Sequence, residues 1–268
     1  MPVNMIVCVK QVPDPEAPPA SFKIDPAGNK VIPPPNTPPV VSPFDEQAAE
    51  AALRIKDKHG GKIVSLSLGN KLLRDVIKKP LSMGADELIL LEDEAFEEGD
   101  SWSTAYALAM AIKKIATFDL IFCGRQAADW DAGQVGSGIA EFLGIPSVTV
   151  AKNVELLDGK VRVERVVADG YEVVEAPLPC LITVSNELGT PRYATLKGIM
   201  AAAKKQPTVW KPQDIGVDPS QIGGQGRNTK LLRLFQPVRE AKCEIIEGDT
   251  PAEAAVNLAL KLREFKVI

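Results

Sequence analysis

The residues best suited to chemistry lie in one loop, Gly124-Arg125-Gln126-Ala127-Ala128-Asp129-Trp130-Asp131-Ala132-Gly133-Gln134, followed by Val135 and Gly136. An apolar run, Asp119 to Cys123, precedes it and reads as a buried strand; Ser137 to Leu143 follows and reads as an amphipathic helix. A loop that leaves a strand and opens a helix gathers backbone N–H groups and the positive end of a helix in one small space. The chemistry this predicts is phosphate binding. Gly124, Gly133 and Gly136 permit close backbone approach, although neither G-x-G-x-x-G nor the P-loop pattern is present. The competing reading is a tight turn whose glycines serve packing alone.

The remaining chemistry-bearing residues are sparse. The single histidine, His59, stands in a Lys-rich, Gly-flanked segment and reads as a solvated turn residue. A His-based triad or metal cluster is therefore not expected, and no residue is assigned a catalytic role. Cys8, Cys123, Cys180 and Cys243 are widely spaced without a CxxC, and three lie in or beside apolar runs. They read as reduced thiols of a cytoplasmic protein, not as disulfide or zinc partners. The formal net charge of -4 argues for neither nucleic acid nor membrane binding. No apolar run approaches the ~20 residues of a membrane span, and no signal peptide is expected.

The elements that must position the loop alternate. Met5 to Val9 is a short β-branched strand. Eleven of the 22 prolines fall between Gln11 and Pro43, so this stretch can be neither a helix nor a central strand and reads as an extended crossing segment or small ribbon. Ser42-Pro43-Phe44-Asp45-Glu46 starts a helix, with an N-cap serine, a first-turn proline and acids near the positive end. Gly60-Gly61 ends it. Strands are expected at Lys62 to Leu68, Glu87 to Leu91 and Leu120 to Cys123. Helices are expected at Leu72 to Met83, interrupted or ended near Pro80, and at Ser101 to Ala116. This alternation predicts an open, mostly parallel α/β sheet with helices on both faces.

After Pro146 the pattern becomes β-rich: Val148 to Val150, a hairpin over Val154 to Val167 around Asp158-Gly159, Tyr171 to Ala176, and the buried Cys180 to Val184. Ile199 to Lys205 reads as a short basic helix, and Gln206 to Asn228 as a linker. Two domains follow: 1–228, containing the Pro-rich excursion 11–43, and a C-terminal extension or arm, 229–268. In the latter, Thr250 to Phe265 forms an amphipathic helix with Leu258, Leu262 and Phe265 on one face. That face needs a covering surface, supplied by a partner subunit or by its own domain.

Five stretches in order carry a family resemblance: Val9-Lys10-Gln11-Val12-Pro13, Ser42 to Glu46, Met83-Gly84-Ala85-Asp86, Gly124 to Gln134, and Pro191-Arg192-Tyr193-Ala194-Thr195-Leu196. Through them nearly the whole chain resembles the β subunit of electron transfer flavoproteins. The resemblance implies a Rossmann-like fold and a heterodimer with a homologous α subunit. It implies electron transport between acyl-CoA dehydrogenase-type flavoenzymes and a quinone reductase or other acceptor. It also implies an adenine nucleotide in this subunit: AMP when the redox FAD resides in the α subunit, or a second FAD in electron-bifurcating members.

Mapped residue by residue, the resemblance implies a nucleotide site made by backbone near Cys8 and Val9, by Ser42, Pro43, Phe44 and Asp45, by the strand end at Leu68, and by Gly124, Arg125, Gln126, Ala127, Asp129, Asp131, Ala132, Gly133, Gln134 and Val135. Adenine would lie against Cys8 and Leu68. N–H groups from Asp131 to Gly136 would meet phosphate. Carboxylates repel phosphate, so Asp129 and Asp131 are expected to shape the loop through hydrogen bonds.

Members of the AMP type tend to carry Thr at the position of Val135, whereas Gln134-Val135-Gly136 and the Asp100, Ser101, Ser103, Thr104 cluster resemble two-FAD members. FAD is therefore the favoured nucleotide, with Ser103 and Thr104 added to its site. Ordinary capping by Asp100 or Ser101 is the alternative, and Trp130, where Gly is common, either stacks on a ring or obstructs one. Tyr193 and Leu196 resemble the family's partner-docking loop, Leu196 being the anchor unless it is core. Lys197, Lys204 and Lys205 make a basic rim or a merely solvated one.

Two other classes remain in view. An adenylating or amidotransfer enzyme wants a Ser-Gly-Gly-x-Asp-Ser loop after the first strand, where this chain has Lys10-Gln11-Val12-Pro13. A stress-type ATP-binding module predicts a homodimer without flavin.

Overall fold

The alternation of short β-branched runs with alanine-rich helices folds as a Rossmann-like α/β sheet with helices on both faces. The computed structural model describes residues 2–25, 27–237 and 243–268. The chain divides into two compact units, Met1–Leu232 and Arg233–Ile268.

In the first unit, β1 (Val3–Cys8) leads into the Pro-rich excursion. There β2 (Gln11–Val12), β3 (Lys23–Asp25), β4 (Lys30–Ile32) and β5 (Val40–Val41) make two small antiparallel ribbons, β2 with β5 and β3 with β4. Then come α1 (Pro43–His59), β6 (Gly61–Gly69), α2 (Arg74–Ile77), α3 (Lys79–Met83), β7 (Glu87–Glu92), α4 (Ser101–Ile115), β8 (Leu120–Gly124) and α5 (Val135–Leu143). The later part contains β9 (Ser147–Leu156), β10 (Lys160–Val167), β11 (Gly170–Pro177), β12 (Cys180–Val184), α6 (Leu196–Lys204), β13 (Thr208–Trp210), α7 (Pro212–Ile215) and α8 (Gly223–Gly226).

Nine strands form one sheet in the order β11-β10-β9-β12-β8-β1-β6-β7-β13. Neighbours from β9 to β13 pair in parallel, whereas β10 and β11 extend the sheet antiparallel through hairpins. Side chains alternate along β1 and feed two cores. Val3, Met5 and Val7 pack with Ala48, Ala52 and Leu53 of α1. Ile6 and Cys8 pack with Leu108 and Ile112 of α4 and Ile139 of α5.

Two local expectations need correction, and a third, the helix break near Pro80, is met and located. Gln206 to Asn228 is not a linker: β13 adds a strand beside β7, and Ile215, Val217 and Ile222 are buried in the α4-side core. Its Pro and Gly residues punctuate short turns that still bury apolar side chains. The break in Leu72 to Met83 falls at Lys78, and Pro80 sits in the first turn of α3, where its missing N–H costs no helical bond. Ser42 occupies the N-cap position of α1 without a capping hydrogen bond from its hydroxyl.

In the second unit, α9 (Pro251–Glu264) is capped by Thr250, whose side chain accepts from the Glu253 N–H. It buries none of its residues, and Leu258 and Phe265 are exposed. No described helix is long and apolar enough to cross a membrane.

Candidate functional site

The strand order reverses at the centre of the sheet. From β1 the chain steps outward to β6 and β7, then returns through α4 to place β8 on the other side of β1. Beyond the carboxyl ends of β1 and β8, the outgoing segments diverge and open a crevice. Cys8 and Val9 lie at the end of β1, Ser42 to Asp45 start α1, and Gly124 to Gln134 connect β8 to α5. Leu68, half-buried, lies near the end of β6 on the other flank of β1, where the Val9 N–H donates to the Leu66 carbonyl at 2.9 Å.

One carboxylate ties these parts together. Asp45 Oδ2 accepts the Lys10 N–H at 2.8 Å, and its Oδ1 accepts the Gly124 N–H at 3.0 Å. The first helix is thus latched to both central strands at the switch point. Burial pushes the Asp45 carboxyl up to about 7 against the two N–H donors and the Lys10 charge, which pull it down; the Asp129 charge adds a smaller upward push.

This carries a pH signature. The unfolded chain releases the Asp45 proton near its ordinary value of 3.8, whereas the fold keeps it to about 7. Below that window the group contributes its full stability, and the contribution is lost as pH rises through it. Urea unfolding at pH 5 and pH 8 is expected to show stability falling by roughly 2 kcal/mol more in the parent than in Asp45→Asn. Equal slopes in the two proteins would remove the titration from Asp45.

The loop is held by its own acids and by two cations. Lys10 Nζ reaches both oxygens of Asp129, at 2.8 and 2.7 Å, and so spans from β1 to the loop. Asp131 Oδ1 accepts from Gln126 Nε2 at 2.8 Å. The Arg125 N–H donates to the Val184 carbonyl at 2.8 Å, and its guanidinium lies 4.9 Å from the centre of the Phe44 ring. Gly133 has φ +65°, in the left-handed region. Gly136 lets α5 close on β12, since a Cβ there would stand 2.6 Å from Thr183 Cγ2. Trp130 projects outward, exposed.

The crevice offers groups that suit a nucleotide. The first turn of α5 has no side-chain cap, so the N–H groups of Val135, Gly136 and Ser137 have no intrahelical acceptor. Two buried polar atoms beside Asp45 also lack a protein partner, Ser42 Oγ and Arg125 Nε. An anion at the α5 end and hydrogen-bonding edges at the α1 end would satisfy these donors and acceptors. No group of three metal-ligating side chains exists among the described residues.

Ser103 and Thr104 lie in the first turn of α4, whose next residue, Ala105, packs against α5: a Cβ at Gly138 would stand 2.8 Å from Ala105 Cβ. The Ser103 hydroxyl accepts the Asp100 N–H at 3.0 Å in a reciprocal capping box, and the residue is buried. The other Asp100 oxygen takes N–H donors from Asn228 and Thr229. Capping therefore occupies Ser103 as well as Asp100, and among the described residues no hydrogen bond joins this turn to the Gly124 to Gln134 loop.

Tyr193 and Leu196 lie on a separate surface. Arg192 anchors their loop to α1: its Nε donates to Glu50 at 2.7 Å and its Nη2 to Asp57 at 2.8 Å. Burial acts to raise the Glu50 carboxyl, but hydrogen bonds from Arg192 and Arg54 outweigh it and hold the group below the usual range. Thr195 caps α6, leaving Leu196 at its first position, 75% exposed, with Tyr193 at 90%. Leu196 is not core.

Sequence reasoning missed Lys10 as a site residue and the bridging role of Asp45. A lysine immediately after a buried strand was the available signal for the first. The second depends on β8 returning beside β1.

Residues 36–215 match the family model described as the electron transfer flavoprotein domain. The caffeyl-CoA reductase-Etf complex subunit CarD of Acetobacterium woodii is 40% identical over 267 residues, covering 99% of this chain and all of that protein. The electron transfer flavoprotein subunit beta of Thermoanaerobacterium thermosaccharolyticum is 40% identical with the same coverage. Protein FixA of Azorhizobium caulinodans is 37% identical over 266 residues, covering 96% of this chain and 93% of that protein.

Proposed function

The chain belongs to the electron transfer flavoprotein β subunits, and from that premise we propose that its central crevice holds FAD as part of an electron carrier completed by an α subunit. The observation that carries the reading is the assembly at the switch point: unsatisfied N–H groups opening α5, the glycine-bearing loop, and the Asp45 latch between β1 and β8. Cys8, Val9, Leu68 and the start of α1 would line the adenine end. The loop from Gly124 and the first turn of α5 would face phosphate. Gln134-Val135-Gly136, without a hydroxyl at Val135, favours FAD.

The bound cofactor supplies the redox chemistry. The protein's part is to hold it, orient it and exclude water. No general acid, base or nucleophile is required of the chain. In the wider cycle, an acyl-CoA dehydrogenase-type flavoenzyme delivers electrons, and a quinone reductase or another acceptor takes them. A second flavin in this subunit would make NADH-linked bifurcation available.

AMP is the second reading, and the Ser103 capping box favours it. A hydroxyl committed to Asp100 offers nothing to the longer diphosphate and ribityl chain of FAD. Nucleotide content per heterodimer, measured after denaturation of the complex purified with its α subunit, decides between them. Two FAD and no AMP is the expected result. One FAD and one AMP establishes the second reading, and no nucleotide beyond that of the α subunit removes the crevice as a site.

Leu196 is the proposed anchor for the partner dehydrogenase. A leucine side chain seated in an apolar pocket is worth about 2 kcal/mol. Leu196→Ala is expected to weaken the partner's apparent affinity roughly 30-fold while leaving urea stability and nucleotide content unchanged. Unchanged transfer kinetics would place docking elsewhere.

A further inference from the structure

Cys8 ends β1, and Cys123 stands one residue before the end of β8. These strands are parallel neighbours with Val7 opposite Phe122, so the next residues on each, Cys8 and Cys123, stand opposite one another. Opposite residues of a parallel pair point to the same face. Both belong to the core on the α4 side, whereas Cys180 lies in the core on the α1 side. Adjacent strands lie about 4.8 Å apart, inside the window of roughly 4.4–6.8 Å between Cα atoms that a disulfide spans. Both thiols are free and nearly buried under the crevice, with 7% and 6% of each residue exposed.

We propose that Cys8 and Cys123 form a peroxide-oxidisable dithiol that closes reversibly into a disulfide between the two central strands. This goes beyond the nucleotide reading and does not depend on it. Only a small oxidant suits so enclosed a pair, and hydrogen peroxide is small enough.

The two thiols have different parts. Contact with Cys8, burial and the Asp45 charge push the Cys123 thiol up, so Cys123 keeps its proton. Cys8, the last residue of its strand, is the thiol that attacks first. Its sulfur bonds to one peroxide oxygen, the O–O bond breaks, and the departing hydroxide takes up the Cys8 proton as water. The Cys123 sulfur then attacks the Cys8 sulfenic sulfur. The S–S bond forms, the S–O bond breaks, and the hydroxyl leaves with the Cys123 proton as a second water. Two thiols lose two electrons, and one peroxide gains them.

The test uses the full chain carrying Cys243→Ser, which removes the exposed thiol. The protein is treated with hydrogen peroxide, then denatured in iodoacetamide, digested without reductant and mapped by mass spectrometry. The expected product is one cross-linked pair of peptides containing Cys8 and Cys123. It is two hydrogens lighter than their sum and is lost on treatment with dithiothreitol. In Cys123→Ser the cross-link should vanish, and denaturation in dimedone in place of iodoacetamide should capture Cys8 as a sulfenic acid. Alkylation of both residues after exposure that oxidises Cys243 in the parent would overturn the proposal. So would over-oxidation of Cys8 in the parent with no cross-link, a result that needs no variant to fold.

Discussion

Gly124→Ala is expected to destabilise the first unit by roughly 2–6 kcal/mol. A Cβ at Gly124 would stand 2.5 Å from Asp45 Oδ1, 2.7 Å from Phe44 Cβ and 2.8 Å from the Phe44 carbonyl carbon. The obstruction includes backbone of α1, so no side-chain rotation relieves it. Either α1 moves away from β8 or β8 bends. Overpacking of this kind costs about 1–3 kcal/mol. Separation also breaks the 3.0 Å bond from the Gly124 N–H to Asp45, and a buried group left unpaired adds about 1–3 kcal/mol. Urea denaturation followed by circular dichroism measures the sum. A change below about 1 kcal/mol, within what single mutations commonly cost, would mean that α1 is not seated against β8 as described.

Gly133→Asp is expected to abolish nucleotide retention, lowering affinity by more than about 100-fold. The backbone at Gly133 is left-handed, with φ +65°, and the nearest atom a Cβ would meet is the Arg125 carbonyl oxygen at 3.5 Å. Space is therefore available, and the cost comes from conformation and charge. The conformational part is modest, since Asp tolerates this region better than most residues. The electrostatic part is larger, because the new carboxylate joins Asp129 and Asp131 on a loop proposed to face phosphate through backbone N–H groups. Gly133→Asn separates the two: it accepts the same backbone at similar cost without the charge, and should retain most of the nucleotide. Nucleotide released on denaturation, counted against purified protein, gives the readout for both variants. Full retention by Gly133→Asp would take the loop out of the site.

Much of this molecule is written locally. The run Leu120 to Cys123 followed by Gly124 to Gly136 declares a strand, a close-approach loop and a helix start, because apolar content and glycine placement act over a few residues. The Pro-rich stretch from Gln11 to Ser42 excludes a long α-helix for the same reason, and two small ribbons and a single 3-10 turn, Pro19–Ser21, form among its described residues. The alternation of strands and helices then implies a parallel sheet, and the family stretches identify its kind.

Other features depend on which strand lies beside which. Asp45 looks like an ordinary first-turn acid until β8 returns to the far side of β1 and delivers the Gly124 N–H to it. Lys10 and Asp129 are 119 residues apart, yet their side chains meet across the crevice. Ser103 looks available among neighbouring hydroxyls, but the reciprocal bond with Asp100 turns it inward. Cys8 and Cys123 show no spacing motif and become neighbours through the pairing of β1 with β8. The short apolar segment at Thr208 to Trp210, hidden among prolines and glycines, becomes a strand because β7 presents an open edge to it. Periodicity, capping and turn chemistry are short-range, so the sequence alone determined most of the elements, the loop and the family. Sheet order is set by competition among many distant pairings, so only the tertiary structure decided the carboxylate latch, the Lys10 bridge and the thiol pair.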